Sequence, residues 1–139
     1  MRLCFASVIC LALVGCGDTV TSRYETLAAA RADQLFVHGW LPDLLPTSSH
    51  AIRVSTNVDL NISEGEFFFL PEEFPLLQAQ LQPFGTAKHP FTRSFDDEIR
   101  RHRDRGLPVF QYMKDTRTWI FFCKPEKGMC EYTMWMGRS

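Results

Sequence analysis

The side chains in this sequence whose types could do chemistry are five cysteines, four histidines and two adjacent carboxylate pairs. Cys4, Cys10, Cys16, Cys123 and Cys130 form no C-x-x-C and no Cys/His cluster at zinc spacing, so a metal-ligand set is missing. His38, His50, His89 and His102 fall in different predicted elements, without the i, i+4 pairing that puts two imidazoles on one helix face. Glu72-Glu73 and Asp96-Asp97 each sit in the first turn of a predicted helix, where the dipole favours acids without any catalytic role. G-x-S-x-G, S-x-x-K, P-loop and H-E-x-x-H patterns are all missing. The residues point to no catalytic group, no metal and no cofactor, and the expectation is a protein that is not an enzyme.

One thiol is different, because of what precedes it. Met1-Arg2 is a positive start, Leu3 to Val14 an apolar run, and Gly15 a small residue before a cut, the three-part build of a signal peptide. The run is too short to cross a bilayer, which takes about 20 apolar residues. The tetrapeptide Leu13-Val14-Gly15-Cys16 resembles the lipobox of bacterial lipoprotein precursors. That resemblance implies cleavage before Cys16, whose sulfur takes a diacylglycerol and whose amine often takes a third acyl chain. A thiolate is nucleophilic enough for thioether formation at mild pH, and two or three chains on one residue anchor stably. In the sorting pattern of enteric-type bacteria, Gly17 rather than Asp after the cysteine implies passage to the outer membrane, facing the periplasm.

With that cut the cysteines sort without remainder. Cys4 and Cys10 leave with the leader, Cys16 carries lipid, and Cys123 and Cys130 remain, an even pair whose simplest state in an oxidising compartment is a disulfide. Loss of residues 1–15 removes Arg2 and no acid, leaving 14 basic against 16 acidic side chains. Such near-neutrality argues against nucleic acid as a partner. The expected organisation is a leader over 1–15, a lipidated tether over 16–21 and a single domain over 22–139.

Within that domain, Ser22-Arg23-Tyr24-Glu25 has the S-x-x-E form of a capping box. Tyr24, Leu27, Ala28, Ala32, Leu35 and Phe36 then recur at helical spacing, and Gly39 is placed to end the helix. Two prolines make Trp40 to Pro46 an apolar loop. Alternation from Ile52 to Leu60 predicts a half-buried strand with Ile52, Val54, Val58 and Leu60 inward, a turn over Asn61 to Gly65 and a return strand over Glu66 to Leu70. Pro71 with two acids reads as a helix start that Pro75 delays, and Ser94 with Asp97 opens a helix that Gly106 closes.

The last third predicts a three-stranded meander: Val109 to Lys114, Arg117 to Cys123 and Met129 to Met136. A turn over Pro125-Glu126-Lys127-Gly128 sets Cys123 opposite Cys130, with Phe121 opposite Tyr132 and Trp119 opposite Met134. Directly opposed residues lie within disulfide range, and closing that eight-residue loop stabilises by roughly 2.5 kcal/mol on the chain-entropy model. The fold class is therefore α+β: an N-terminal helix, an antiparallel sheet of about five strands, and short helices between the strand groups.

Two surfaces are candidates for a partner. Trp40 heads the apolar proline loop, and Arg100, Arg101, Arg103 and Arg105 crowd a helix C-terminus, where cations are favoured in any case. Against anionic headgroups or an acidic partner each arginine contributes about 1 kcal/mol.

Arg23-Tyr24-Glu25-Thr26, Ala30-Arg31-Ala32, Gly39-Trp40-Leu41-Pro42-Asp43-Leu44-Leu45-Pro46, Ile52, and Asp59-Leu60-Asn61 to Glu64-Gly65-Glu66-Phe67 resemble a family of small bacterial proteins with a YbbD head domain. The resemblance spans most of the chain after the leader and lends no activity, cofactor or catalytic residue. The functional expectation is a non-catalytic envelope lipoprotein, held in the membrane through Cys16, that binds another envelope protein or supports an assembly. A second reading is a periplasmic enzyme inhibitor or toxin-neutralising lipoprotein presenting the rigid loop Lys124 to Met129. A small hydrolase is the third.

Overall fold

Threonine, valine and serine alternate through Thr19–Thr26, a composition that fits a pleated edge better than a helix. In the computed structural model, which describes residues 19–34, 36, 38–85 and 89–137, this segment is strand β1. It runs antiparallel to β2 (His50–Asn57), with Tyr24 opposite Ile52 and Thr19 opposite Asn57. Thr21 and Ser55 join their hydroxyls across the pair at 2.8 Å. The helix expected from Ser22 is thereby corrected: the backbone groups of β2 need partners, and β1 supplies them. Helix α1 is confined to Leu27–Ala32, and its cap is Thr26, whose hydroxyl accepts from the Ala29 amide. Gly39 does adopt positive φ, but in a turn beyond the helix, where a side chain would strike Arg117. Thr19 to Thr21, assigned from the sequence to the segment before the domain, pair with β2 in the sheet. Cys16 and the leader lie outside the described residues.

Strand β3 (Ile62–Phe68) returns from β2 through a turn over residues 58–61. The register of this hairpin differs from the sequence expectation. Asn57 accepts from the Leu60 amide with its side chain and Asn61 takes φ +54, so the chain turns three residues early. Gly65, expected in the turn, is in mid-strand, and Val58 and Leu60, expected inward, are exposed. A 3₁₀ turn over Pro71–Glu73 leads into α2 (Phe74–Gln78), a delayed start as the prolines predict. A two-residue strand, β4 (Gln82–Pro83), follows, then α3 (Arg93–Asp104). Gly106 closes α3 at φ +72, with its own amide and that of Leu107 satisfying the carbonyls of Arg103 and His102. The predicted meander is present as β5 (Val109–Lys114), β6 (Arg117–Lys124) and β7 (Met129–Met136).

The seven strands of the described residues form one antiparallel sheet in the order β1-β2-β3-β7-β6-β5-β4, two more strands than expected. The last strand is thus central, joining β3 to β6. One face is continuously apolar: Ile52, Val54, Phe67, Phe121, Tyr132 and Met134 pack beneath α1, α2 and the leucines of the proline loop. On the other face α3 covers only the β5 to β7 half, with Phe95 and Ile99 set on Val109, Ile120, Phe122 and Trp135. The uncovered half presents polar residues, among them the Arg53–Glu66 ion pair at 3.6 Å.

Where β7 meets β3, Gly65 lies opposite Tyr132. A β-carbon at Gly65 would sit 2.0 Å from the Arg53 carbonyl oxygen and 2.9 Å from the Tyr132 ring. With a strand on each side, neither backbone has room to move. Gly65→Ala is expected to cost about 3 kcal/mol, measured by urea denaturation. Gly106→Ala, which meets open space, is expected to cost only about 1 kcal/mol for its left-handed φ. Equal midpoints for the two variants would contradict this packing.

Candidate functional site

The β6–β7 hairpin and the end of α3 build the most distinctive polar surface. Their register is the expected one: Cys123 opposite Cys130, Phe121 opposite Tyr132, Trp119 opposite Met134. The two sulfurs stand 2.18 Å apart, at bonding distance, on the apolar face. Pro125–Lys127 makes a single 3₁₀ turn and Gly128 reverses the chain at φ +61. Gly128 is buried against Phe69 and Pro71, and its carbonyl accepts from the Phe69 amide at 2.8 Å. The tip is therefore braced from a third strand's continuation, and of its four residues only Glu126 and Lys127 are exposed.

The chain crosses the opposite face from Phe91, edge-on to Trp135, along α3 to His102, whose ring bonds the Cys123 carbonyl at 3.0 Å. Its C-terminus therefore reaches the hairpin tip. The arginine cluster divides here. Arg100 pairs with Asp97 at 3.2 Å, and Arg103 donates to the Phe84 carbonyl and lies over the Phe84 ring. Arg101 and Arg105 instead border the hairpin. Arg105, Lys124, Pro125, Glu126 and Lys127 line a groove of about 480 Å³, and Glu98, Arg101, Arg105, Lys124 and Glu131 line an adjoining one of about 220 Å³. Among the described residues none of Arg101, Arg105, Lys124 and Lys127 forms an ion pair. Three acids are interleaved with these four cations, so the surface is mixed in charge rather than purely basic.

Trp40 is not part of it. Its side chain is half-buried against the main core, on the face opposite α3, and its carbonyl accepts from Ser63 Oγ at 3.2 Å and from the Tyr132 hydroxyl at 3.5 Å. Burial pushes the Tyr132 phenol well above its ordinary range. Trp40 and the arginines are thus separate, and the tryptophan's role here is to anchor the proline loop.

One serine, one histidine and one carboxylate do converge. Ser48, His50 and Glu73 lie together, a grouping that sequence spacing did not reveal because Glu73 comes from the segment after β3. Their bonding is not that of a nucleophilic triad, which needs an imidazole nitrogen on the hydroxyl. Ser48 Oγ donates directly to Glu73 and accepts from the Leu70 amide, while His50 Nδ1 contacts the Ser48 carbonyl. Glu73 also accepts from the Ser48 amide at 3.2 Å and Thr47 Oγ1 at 3.0 Å. It is a loop clamp. The remaining histidines serve locally: His89 bonds Asp96 at 2.7 Å, and His38 offers its carbonyl to Arg117. Among the described residues no group of three or more His, Cys, Asp or Glu side chains could hold a metal ion.

The hydrogen bond from the Ser48 hydroxyl holds the Glu73 carboxyl below the ordinary glutamate range, with the Ser48 amide and Thr47 adding to it. A depressed folded pKa means that the clamp contributes fully above the unfolded value and is lost as pH falls through the folded one. An NMR titration of Glu73 should give a midpoint below that of a free glutamate, and Ser48→Ala should raise it. An unchanged midpoint in the variant would remove the clamp.

The described helices include none long and apolar enough to cross a membrane. No curated protein and no solved structure matches the chain. A family model does, and it covers less of the chain than the sequence resemblance implied: the segment from β1 to the end of β3 matches, while β4 to β7 and α3 lie beyond. Residues 18–68 match the family described as the YbbD head domain.

Proposed function

We propose that the chain is a lipid-anchored envelope protein, held in the membrane through Cys16 and facing the periplasm, that binds a protein partner and does no chemistry. One observation carries the reading of how it would do so. The strand register puts Thr19 level with Asn57, Ile62 and Trp135 at one end of the sheet, and the 125–128 tip beyond Met129 at the other. The six-residue step from Trp135 to Met129 alone separates the ends by roughly 20 Å. An anchor at Cys16 therefore leaves the grooves around Arg101, Arg105 and Lys124 turned away from the lipid. Headgroup contact, the alternative role for the arginines, does not fit that direction. A partner of mixed charge does, since steering by unpaired cations and acids favours complementary protein surfaces.

The bracing of Gly128 by Phe69 favours a second reading of the same tip, an inhibitor or toxin-neutralising protein that presents a preorganised loop. Its contact residues would be Glu126 and Lys127.

Photo-crosslinkers placed at Lys127 and, as the control at the other end, at Lys114 test the proposal in intact envelopes. Discrete adducts are expected from position 127 and not from 114, and Arg101→Glu with Arg105→Glu should weaken binding of the crosslinked partner roughly tenfold, about 1.4 kcal/mol. Equal adducts from both positions would contradict it. If Glu126→Ala with Lys127→Ala abolishes binding and the arginine variant does not, the inhibitor reading is favoured. Fatty-acid label should disappear in Cys16→Ser, and its persistence would remove the anchor.

A further inference from the structure

Turn tips are ordinarily polar, because water covers them. The β2–β3 turn reads Val58-Asp59-Leu60-Asn61, with Val58 57% and Leu60 65% exposed. Val20, on neighbouring β1 beside the strand's first residue, is 64% exposed. Four of the six large apolar side chains that are exposed among the described residues lie at this end of the sheet, the fourth being Met113 on β5. The turn is also closed by hydrogen bonds. Asn57 Oδ1 accepts from Leu60 at 2.9 Å, the Val58 carbonyl from Asn61 at 3.2 Å, and the Asn61 carbonyl from Met136 at 3.1 Å. Asn57 Nδ2 reaches Thr19 Oγ1 at 3.4 Å, tying the turn to the entry of the chain. Hydrogen-bonded backbone thus holds three aliphatic side chains out, with nothing among the described residues to cover them.

What covers them follows from the length of chain that precedes. Only Gly17 and Asp18 separate Cys16 from Thr19, so at about 3.8 Å per step the two α-carbons lie within roughly 11 Å of one another. The polar layer of a bilayer leaflet is only about 5–8 Å deep. If Cys16 carries acyl chains, the start of β1 and the adjoining turn are confined to the lipid surface. The geometry points to a membrane seat: Val58 and Leu60, with Val20 beside them, insert at the boundary of headgroups and acyl chains and fix the domain with its hairpin tip outward. This inference rests on the lipid-anchor reading and adds an orientation to it. Its attraction is apolar, because the charges of the two turns at this end balance, Lys114 and Arg117 against Asp59 and Asp115.

Single cysteines supply the test, since on the anchored reading every native thiol is already consumed. The full chain, expressed with its leader, is given Leu60→Cys, Val58→Cys or, at the far tip, Glu126→Cys. Each variant is labelled with an environment-sensitive fluorophore and reconstituted in phosphatidylethanolamine and phosphatidylglycerol vesicles brominated on the acyl chains. With fatty-acid label on the protein, quenching is expected to be several-fold stronger at 60 and 58 than at 126. Quenching at 60 and 58 no stronger than at 126, with the fatty-acid label retained, overturns the seat and leaves the anchor standing. A fluorophore at 60 that is shielded from aqueous iodide yet unquenched by the lipid means that a protein covers the turn, and also overturns it. Loss of the fatty-acid label overturns the anchor, and the seat falls with it.

Discussion

The C-terminal strand is the interaction on which the rest of this structure depends. β7 inserts between β3 and β6, and without it the sheet would fall into two pieces: β1-β2-β3 and β6-β5-β4. Neither piece has a closed core. Phe67, buried on β3, meets Phe121 of β6 edge to face across the central strand, and Tyr132 of that strand packs on Phe121. The YbbD head match ends at residue 68, where β3 ends. The matched segment therefore finishes on a strand whose ladder is completed by β7, about 60 residues further on, and a backbone edge with a buried phenylalanine needs that partner.

Placing the final strand in the middle also determines what is brought together. Because β7 is central, the β6–β7 tip, α3's C-terminus and the segment around Phe69 and Pro71 meet at one end. Because β1 pairs on the outer side of β2, the chain enters at the other end. The polarity of the domain, with entry and turn at one pole and braced tip and unpaired cations at the other, is a property of strand order and register. It does not come from any single residue.

The sequence made some of this legible and hid the rest for physical reasons. The meander, the opposed cysteines and the closure of α3 at Gly106 follow from local rules, since alternation, a two- or four-residue turn and a left-handed glycine each act within a few residues. The strand character of β1 is masked because Ser22 to Glu25 carries a true local capping pattern, and the competing edge of β2 lies about 30 residues away. The early reversal at Asn57 and Asn61 was hidden for the opposite reason. Val58 and Leu60 prolong the alternation of β2 beyond its end, so periodicity assigned them to the core. Gly65 resembled a turn glycine, although its requirement is close approach of Arg53 and Tyr132, one of them on the distant last strand. Strand order was not legible at all, because nothing local specifies that β7 should pair with β3. The tip grooves are not legible in the sequence because Arg100, Arg101, Arg103 and Arg105 form one run there, and only packing ties Arg100 and Arg103 elsewhere.

Both the polarity of the domain and the proposed membrane seat require that Thr19–Thr26 be a strand lying antiparallel on β2. Nuclear Overhauser contacts in the full chain measure this directly. Cross-strand contacts linking Tyr24 with Ile52 and Ser22 with Val54 are the expected result. A run of sequential amide–amide contacts from Ser22 to Phe36, the mark of a continuous helix, would contradict it.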